Sequence, residues 1–229
     1  MTRLQLAPSI LTADLGNLAA ELRSVAGYVD WFHLDVMDGH YVPNLTFGPS
    51  VIKALRGVVD QPFHVHLMVT NPGDLLEDYV AAGANRVSFH PEVVADVGGL
   101  IARIKDLGVG PGLAVHPDRG LELVEPYLDE LEVVLMMTVR PGFGGQAFMP
   151  EVLPAIEQAR RMVQERGVHA DIEVDGGVKL DNLARVVEAG ANVIVAGSAI
   201  FDGVDAPAAA RRFRRELQTL EGAVSKGGA

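Results

Sequence analysis

Strand-like apolar runs and helix-like amphipathic runs alternate along almost the whole chain, and this alternation limits what it can fold into. The apolar runs fall at residues 4–9, 31–36, 63–68, 86–89, 110–115, 133–138, 170–174 and 193–196. Several are stretches of Val, Ile and Leu without strict alternation, the pattern of strands buried on both faces of a parallel sheet. Between them, 15–25 follows Asp14 as an expected N-cap, 72–82 carries proline near its first turn, and 150–166 is the longest amphipathic segment. An internal echo supports a repeated unit: Ala82-Gly83-Ala84-Asn85-Arg86-Val87 returns as Ala189-Gly190-Ala191-Asn192-Val193-Ile194. In each copy the glycine stops a helix just before a strand. Eight β-then-α units make a single (β/α)8 barrel, the TIM-barrel class of α/β fold, over residues 1–224, with 225–229 expected as a disordered tail. A doubly wound open sheet is the alternative, although about five or six strands is more usual there.

The chain has 229 residues, 48% of them hydrophobic, which suits one large α/β domain. No apolar run reaches the roughly 18 residues that a membrane span needs. The stretch from Met1 to Pro8 has neither the long apolar region nor the cleavage site of a secretory signal. Cysteine is absent, so disulfides are excluded and any metal site must use nitrogen and oxygen; a cytoplasmic protein is expected. A formal net charge of −11 argues against a general nucleic-acid surface. Backbone N–H groups and helix N-termini can still bind an anion locally.

In a barrel of this class the chemistry gathers where strands end. His33 and Asp35 close the second strand, His66 the third and Asp175 the seventh. A period of two puts His33, Asp35 and Met37 on one face, and likewise His64, His66 and Met68. Two imidazoles and two carboxylates suit one divalent ion, Zn²⁺ or Fe²⁺, Mn²⁺ or Co²⁺. The competing reading is that each polar residue is hydrogen-bonded separately at a loop start. His64 shares the inner face, so the pattern leaves His64 and His66 both open as ligand. Met37, Met68 and Met137 end three strands, either as core filler or as an apolar wall around a reacting carbon. Ser9 ends the first strand and is placed to hydrogen-bond a substrate hydroxyl.

Glycines cluster after the last three strands: Gly142, Gly144 and Gly145 flanking Phe143, then Gly176 and Gly177, then Gly197 beside Ser198. Glycine lets backbone N–H groups approach an anion closely, and loops after strands 7 and 8 are a recurrent phosphate site in barrels. His90 and His116, each before a proline, either line the mouth or serve the structure; His40 and His169 are expected at the surface. Asp38 opens a loop of about 12–15 residues, a length common in lids and binding loops, and is expected to orient a ligand.

The segments Ala7-Pro8-Ser9-Ile10-Leu11, His33-Leu34-Asp35-Val36-Met37-Asp38-Gly39, His66-Leu67-Met68, Met137-Thr138-Val139, Pro141-Gly142-Phe143-Gly144-Gly145-Gln146 and Val174-Asp175-Gly176-Gly177 resemble the signatures of the ribulose-phosphate 3-epimerase family. The resemblance runs from the first strand to Gly197-Ser198. It implies interconversion of D-ribulose 5-phosphate and D-xylulose 5-phosphate, a step of the pentose phosphate pathway and, in autotrophs, of the Calvin cycle. It implies one divalent metal ion per subunit, held at His33, Asp35, His66 and Asp175, which selects His66 over His64. It assigns Asp35 as proton acceptor and Asp175 as proton donor, Ser9 and His66 as sugar contacts, and residues 142–145, 176–177 and 197–198 as the phosphate cradle. It also implies a homo-oligomer, dimer or hexamer. Arg140 stands where Asn or Glu is common in relatives, and is expected either to favour phosphate or to face solvent. The alternatives are an epimerase of another ketose phosphate such as allulose 6-phosphate, a barrel lyase or synthase, and a non-catalytic binding module.

Overall fold

A computed structural model of the chain describes the backbone of residues 3–227 and the side chains of residues 3–222. Its eight strands are β1 (Gln5–Ala7), β2 (Phe32–Met37), β3 (Phe63–Met68), β4 (Ala84–Phe89), β5 (Gly110–Val115), β6 (Val133–Met137), β7 (Asp171–Asp175) and β8 (Val193–Val195). Each pairs in parallel with its neighbour in chain order, and β8 returns to β1. The ring closes between β1 and β2, where Ser9 bridges His33 and the His33 N–H donates to the Pro8 carbonyl at 3.1 Å. A strand order with no reversal excludes the doubly wound alternative.

Among the described residues seven α-helices cover the ring: α1 (Leu18–Val25), α2 (Pro49–Arg56), α3 (Leu76–Ala81), α4 (Val97–Asp106), α5 (Leu153–Arg166), α6 (Leu183–Glu188) and α7 (Ala206–Gly227). The crossover from β5 to β6 uses 3-10 turns, Leu121–Leu123 and Glu125–Glu130, where the eight-unit pattern expects a helix. Pro126 in the first turn of the second has no N–H to give. The first helix also starts later than expected. Asp14 is not its N-cap: its carboxylate accepts from Gly16 N–H at 2.9 Å and Asn17 Nδ2 at 2.7 Å, making a turn ahead of Leu18. Helix α7 carries the backbone through the first three positions of the expected tail 225–229; Gly228 and Ala229 lie outside the described residues.

The sequence echo is a real structural repeat. Gly83 and Gly190, at φ 110° and 111°, end α3 and α6 one residue or more before the next strand. A Cβ at either would lie 2.5 Å from Arg56 or 2.6 Å from Arg160, so a long arginine packs over each glycine. Asn85 and Asn192 then do the same work: their Oδ1 atoms accept from the N–H of Phe63 and of Ile172, at 2.9 and 2.8 Å.

Period two sorts the strands into two linings. Phe32, Leu34 and Val36 on β2, with Phe63, Val65 and Leu67 on β3, pack outward against the helices in the main core. Each such buried side chain contributes about 1.5–3 kcal/mol. The alternate residues turn inward, and on β2 and β3 they are His33, Asp35, Met37, His64, His66 and Met68, all buried.

Candidate active site

Four ligand-type atoms converge where β2, β3 and β7 end. One atom from each of His33, Asp35, His66 and Asp175 lies within 4.8 Å of the others. Adjacent strands in register bring this about: Asp35 lies beside His66 on β3. His33 Nδ1 sits 2.8 Å from Glu173 Oε1, which leaves Nε2 pointing at the carboxylates. That Nε2 is 3.2 Å from Asp35 Oδ1 and 3.9 Å from Asp175 Oδ2, is fully buried, and makes no hydrogen bond. His66 Nδ1 lies 3.1 Å from the same Asp35 oxygen. A buried nitrogen without a partner, facing two carboxylates and beside a second imidazole, is the donor set a divalent cation takes up. The residues fit the ion that the sequence implies.

His64 is not part of this set. Its Nδ1 lies 2.8 Å from Glu173 Oε2 and its Nε2 is 2.7 Å from Ser88 Oγ, so both nitrogens are engaged one layer deeper. Ser88 in turn dictates a glycine on β5, because a Cβ at Gly112 would lie 2.0 Å from its hydroxyl.

The two aspartates are driven apart in proton affinity. Burial opposes the charge on Asp35, but His33 and His66 outweigh it and hold its carboxyl far below the usual range. Burial also acts on Asp175, and there the neighbouring Asp35 charge adds to it; the carboxyl is pushed up to about 8. At neutral pH one acid is therefore ionised and the other protonated. Burial lowers His66 to about 3, whereas for His33 the carboxylates of Asp35 and Glu173 overcome burial and raise it. Ser9 Oγ completes the cluster, donating to Asp35 Oδ2 at 2.5 Å.

Above the cluster is a cavity lined by Ser9, Asp35 and Asp175, by Met37, Met68 and Met137, and by the three glycine groups with Phe143 and Ser198. The methionines are almost fully buried and form its apolar side. The backbone approaches closely here: Gly177 has φ 66°, and a Cβ on it would lie 2.4 Å from Phe148 N. Thr12 lines the same cavity, and its Oγ1 is a buried oxygen without a hydrogen-bond partner. Gln146 Nε2 spans the 140–146 turn by donating to the carbonyls of Arg140 and Phe143. Asn44, from the loop after β2, donates to the Gly142 carbonyl at 2.7 Å and fastens the two loops together.

Other expectations need correction. Asp38 bonds to none of His33, Asp35, His66 and Asp175: it accepts from the backbone of His40, Tyr41 and Thr70 and from the Thr70 hydroxyl, and so shapes its own turn. Of the two expectations for Arg140 the solvent-facing one agrees with the structure: it is exposed, pairs at the surface with Asp118, 3.1 Å away, and lies outside the cavity lining. His40 and His169 are exposed as expected. His90 is fully buried, 3.0 Å from His66 through the two Nε2 atoms, whereas His116 is half-buried. Sequence reasoning gave no role to Glu173 or Thr12. Glu173 carried a usable signal, since an acid two positions before Asp175 must share its inward face.

Fold and site together define a (β/α)8-barrel enzyme whose acids and imidazoles lie beneath a glycine-rich rim. The model of the family described as "Ribulose-phosphate 3 epimerase family" matches residues 5–201. "Ribulose-phosphate 3-epimerase 1" of Cupriavidus necator is 48% identical over 208 residues, covering 89% of this chain and 86% of that protein. The ribulose-phosphate 3-epimerase of Escherichia coli K12 is 43% identical over 219 residues, covering 95% and 97%. The chain belongs to the ribulose-phosphate 3-epimerase family, and is by that membership an isomerase. Among solved structures, a 3-hexulose-6-phosphate synthase superposes with a TM-score of 0.72 at 22% identity, covering 93% of this chain and 99% of its own, which shows the shared barrel.

Proposed function

We propose that the chain interconverts D-ribulose 5-phosphate and D-xylulose 5-phosphate by a 1,1-proton transfer at C3 between Asp35 and Asp175. The observation that carries this reading is geometric: Asp35 and Asp175 converge with His33 and His66 on one gap, and both carboxylates line the cavity above it. With no cation bound, His33 and His66 favour the ionised form of Asp35, while burial and the Asp35 charge push Asp175 up to about 8. Epimerisation requires one base and one acid on opposite faces of one carbon. Asp35 takes the C3 proton and Asp175 returns one to the other face; in the reverse direction they exchange roles. Ser9, donating to Asp35, keeps that carboxylate aimed and is within reach of a sugar hydroxyl.

His33, Asp35, His66 and Asp175 would hold a divalent ion, Zn²⁺ or Fe²⁺, with Mn²⁺ and Co²⁺ also suited to the ligands. Such an ion supplies Lewis acidity to the sugar oxygens next to the reacting carbon. The protein supplies the rest. Met37, Met68 and Met137 keep water from that carbon. Gly142 to Gly145, Gly176, Gly177, Gly197 and Ser198 take the phosphate through backbone N–H groups, far from C3, and so fix the sugar's orientation. Thr12 Oγ1, aimed into the cavity beside Gly197, adds a donor to that cradle. The same reading takes the chain as a cytoplasmic homo-oligomer that binds neither nucleic acid nor membrane; no helix among the described residues is long and apolar enough to cross a membrane.

The test is turnover of Asp35→Asn and Asp175→Asn. Each should fall by about 10²–10⁴-fold with the fold intact. Retention of more than a few per cent of the rate in either would contradict the two-acid scheme.

A further inference from the structure

Two buried nitrogens close to the cluster lack hydrogen-bond partners, His33 Nε2 and His90 Nδ1. One arrangement accounts for both. His33 is tied at Nδ1 to Glu173, 2.8 Å away, so its free lone pair is on Nε2, toward Asp35 and Asp175. His66 faces the same gap through Nδ1, and its Nε2 meets His90 Nε2 at 3.0 Å. For His66 to offer its Nδ1 lone pair to a cation, its proton must sit on Nε2. His90 must then accept that proton's hydrogen bond at its own Nε2, and carry its own proton on Nδ1. The group facing His90 Nδ1 is Glu92, with Oε1 3.5 Å away. Glu92 is held in place by the Tyr41 hydroxyl, which donates to it at 2.8 Å, and the Tyr41 ring lies 4.8 Å from the His90 ring.

We infer that Glu173 and the His90–Glu92 pair are positioning residues, which fix the tautomers of His33 and His66 so that one lone pair from each enters the same gap. The inference rests on the metal reading above and assigns it two arms outside the ligand set. Histidines that bind metals commonly donate their second nitrogen's proton to a carboxylate, and losing that partner weakens binding by about 10–100-fold. Here one arm is direct, Glu173, and the other is relayed through a second imidazole. Glu173 is not a fifth member of that set: it gives one oxygen to each of His33 and His64 at hydrogen-bond length. Proton bookkeeping closes without a further charge. Glu173 accepts from both histidines, and His64 Nε2 accepts from the Ser88 hydroxyl.

The experiment is competition for Zn²⁺ between the protein and a chromophoric chelator, at one pH, with the thermal melt of each metal-free variant as a folding control. His90→Leu keeps the bulk and removes the acceptor; its Zn²⁺ affinity should fall about 10–100-fold. His90→Gln restores an acceptor for His66 Nε2–H and should stay within about threefold of the parent. Glu173→Gln should fall as His90→Leu does. A folded His90→Leu with parent affinity, or His90→Gln as weak as His90→Leu, would overturn the inference. If His90→Leu does not fold, Glu92→Ala decides in its place, since it keeps both imidazoles and removes the anchor. If the parent itself takes up no Zn²⁺, the metal reading fails; if the parent binds and the variants match it, only the present inference fails.

Discussion

The barrel interior has two unlike linings. On β2, β3 and β7 the inward residues include His33, Asp35, His64, His66, Glu173 and Asp175, a polar layer capped by Met37 and Met68. On β5, β6, β8 and β1 they are Ala114, Leu135 and Met137, then Val193, Val195 and Ala7, a small dry core. The same period of two produces both linings. In the dry lining a residue needs only the right volume, and burial itself stabilises it. In the polar lining each group is paired with another, and its position and charge depend on that partner. On the proposed reading, packing dominates the role of the dry lining and proton chemistry that of the polar one.

The largest expected effect is on rate: Asp175→Asn should lose turnover by about 10²–10⁴-fold while melting cooperatively. Leu135→Ala on the dry side should do the reverse, costing about 2–5 kcal/mol in denaturant unfolding while the rate per folded molecule changes little. A large rate loss with unchanged stability in Leu135→Ala would erase the distinction.

A third effect is one of pH. Burial, with the neighbouring Asp35 charge, raises the carboxyl of Asp175 in the folded state to about 8 from an ordinary value of 3.8. Between these limits the folded state binds more protons than the unfolded, so this group's contribution to stability is fully present below about 4 and is lost as pH rises through 8. In chelator-treated protein, Asp175→Asn should therefore gain in melting temperature over the parent between pH 5 and pH 8, roughly in step with pH. Asp35 and Glu173 have the opposite sign; both are depressed, and their contributions disappear on acidification instead. A parent-to-variant gap that stays constant with pH would contradict the charge separation between the two aspartates.

Smaller effects lie at the rim. Gly177→Ala, at φ 66° with Phe148 N in the way, should raise KM about tenfold for a phosphorylated ketose with a lesser change in kcat. Arg140→Ala should change KM by less than about twofold, because its exposed pair with Asp118 is worth about 0–1 kcal/mol.

The strands and their inward faces were legible because hydrophobic period is a local property, and β3 and β5 match their expected bounds residue for residue. The convergence of His33, Asp35 and Asp175 was legible from strand ends, whereas the pattern left His64 and His66 both open and the family resemblance made that choice. What failed was capping and partnership. Asp14 satisfies the cap pattern, but a turn at 14–17 takes its carboxylate. The crossover from β5 to β6 runs through 3-10 turns where the repeat pattern expects a helix. Arg140 lies next to a glycine loop in sequence yet pairs with Asp118, a residue that only the fold brings near. His90 and Ser88 take their roles from side chains on other strands, so no local pattern marks them, whereas the period of two on β7 does mark Glu173.

The most direct test of the central claim is hydrogen exchange at C3. The protein is incubated with D-ribulose 5-phosphate in D₂O, with and without chelator, and both C3 deuterium and xylulose 5-phosphate are followed. Deuterium entering at C3 together with the epimer, and both lost on chelation, is the predicted result. No exchange in metal-replete protein, or epimer formed without any solvent deuterium, would contradict proton transfer by Asp35 and Asp175.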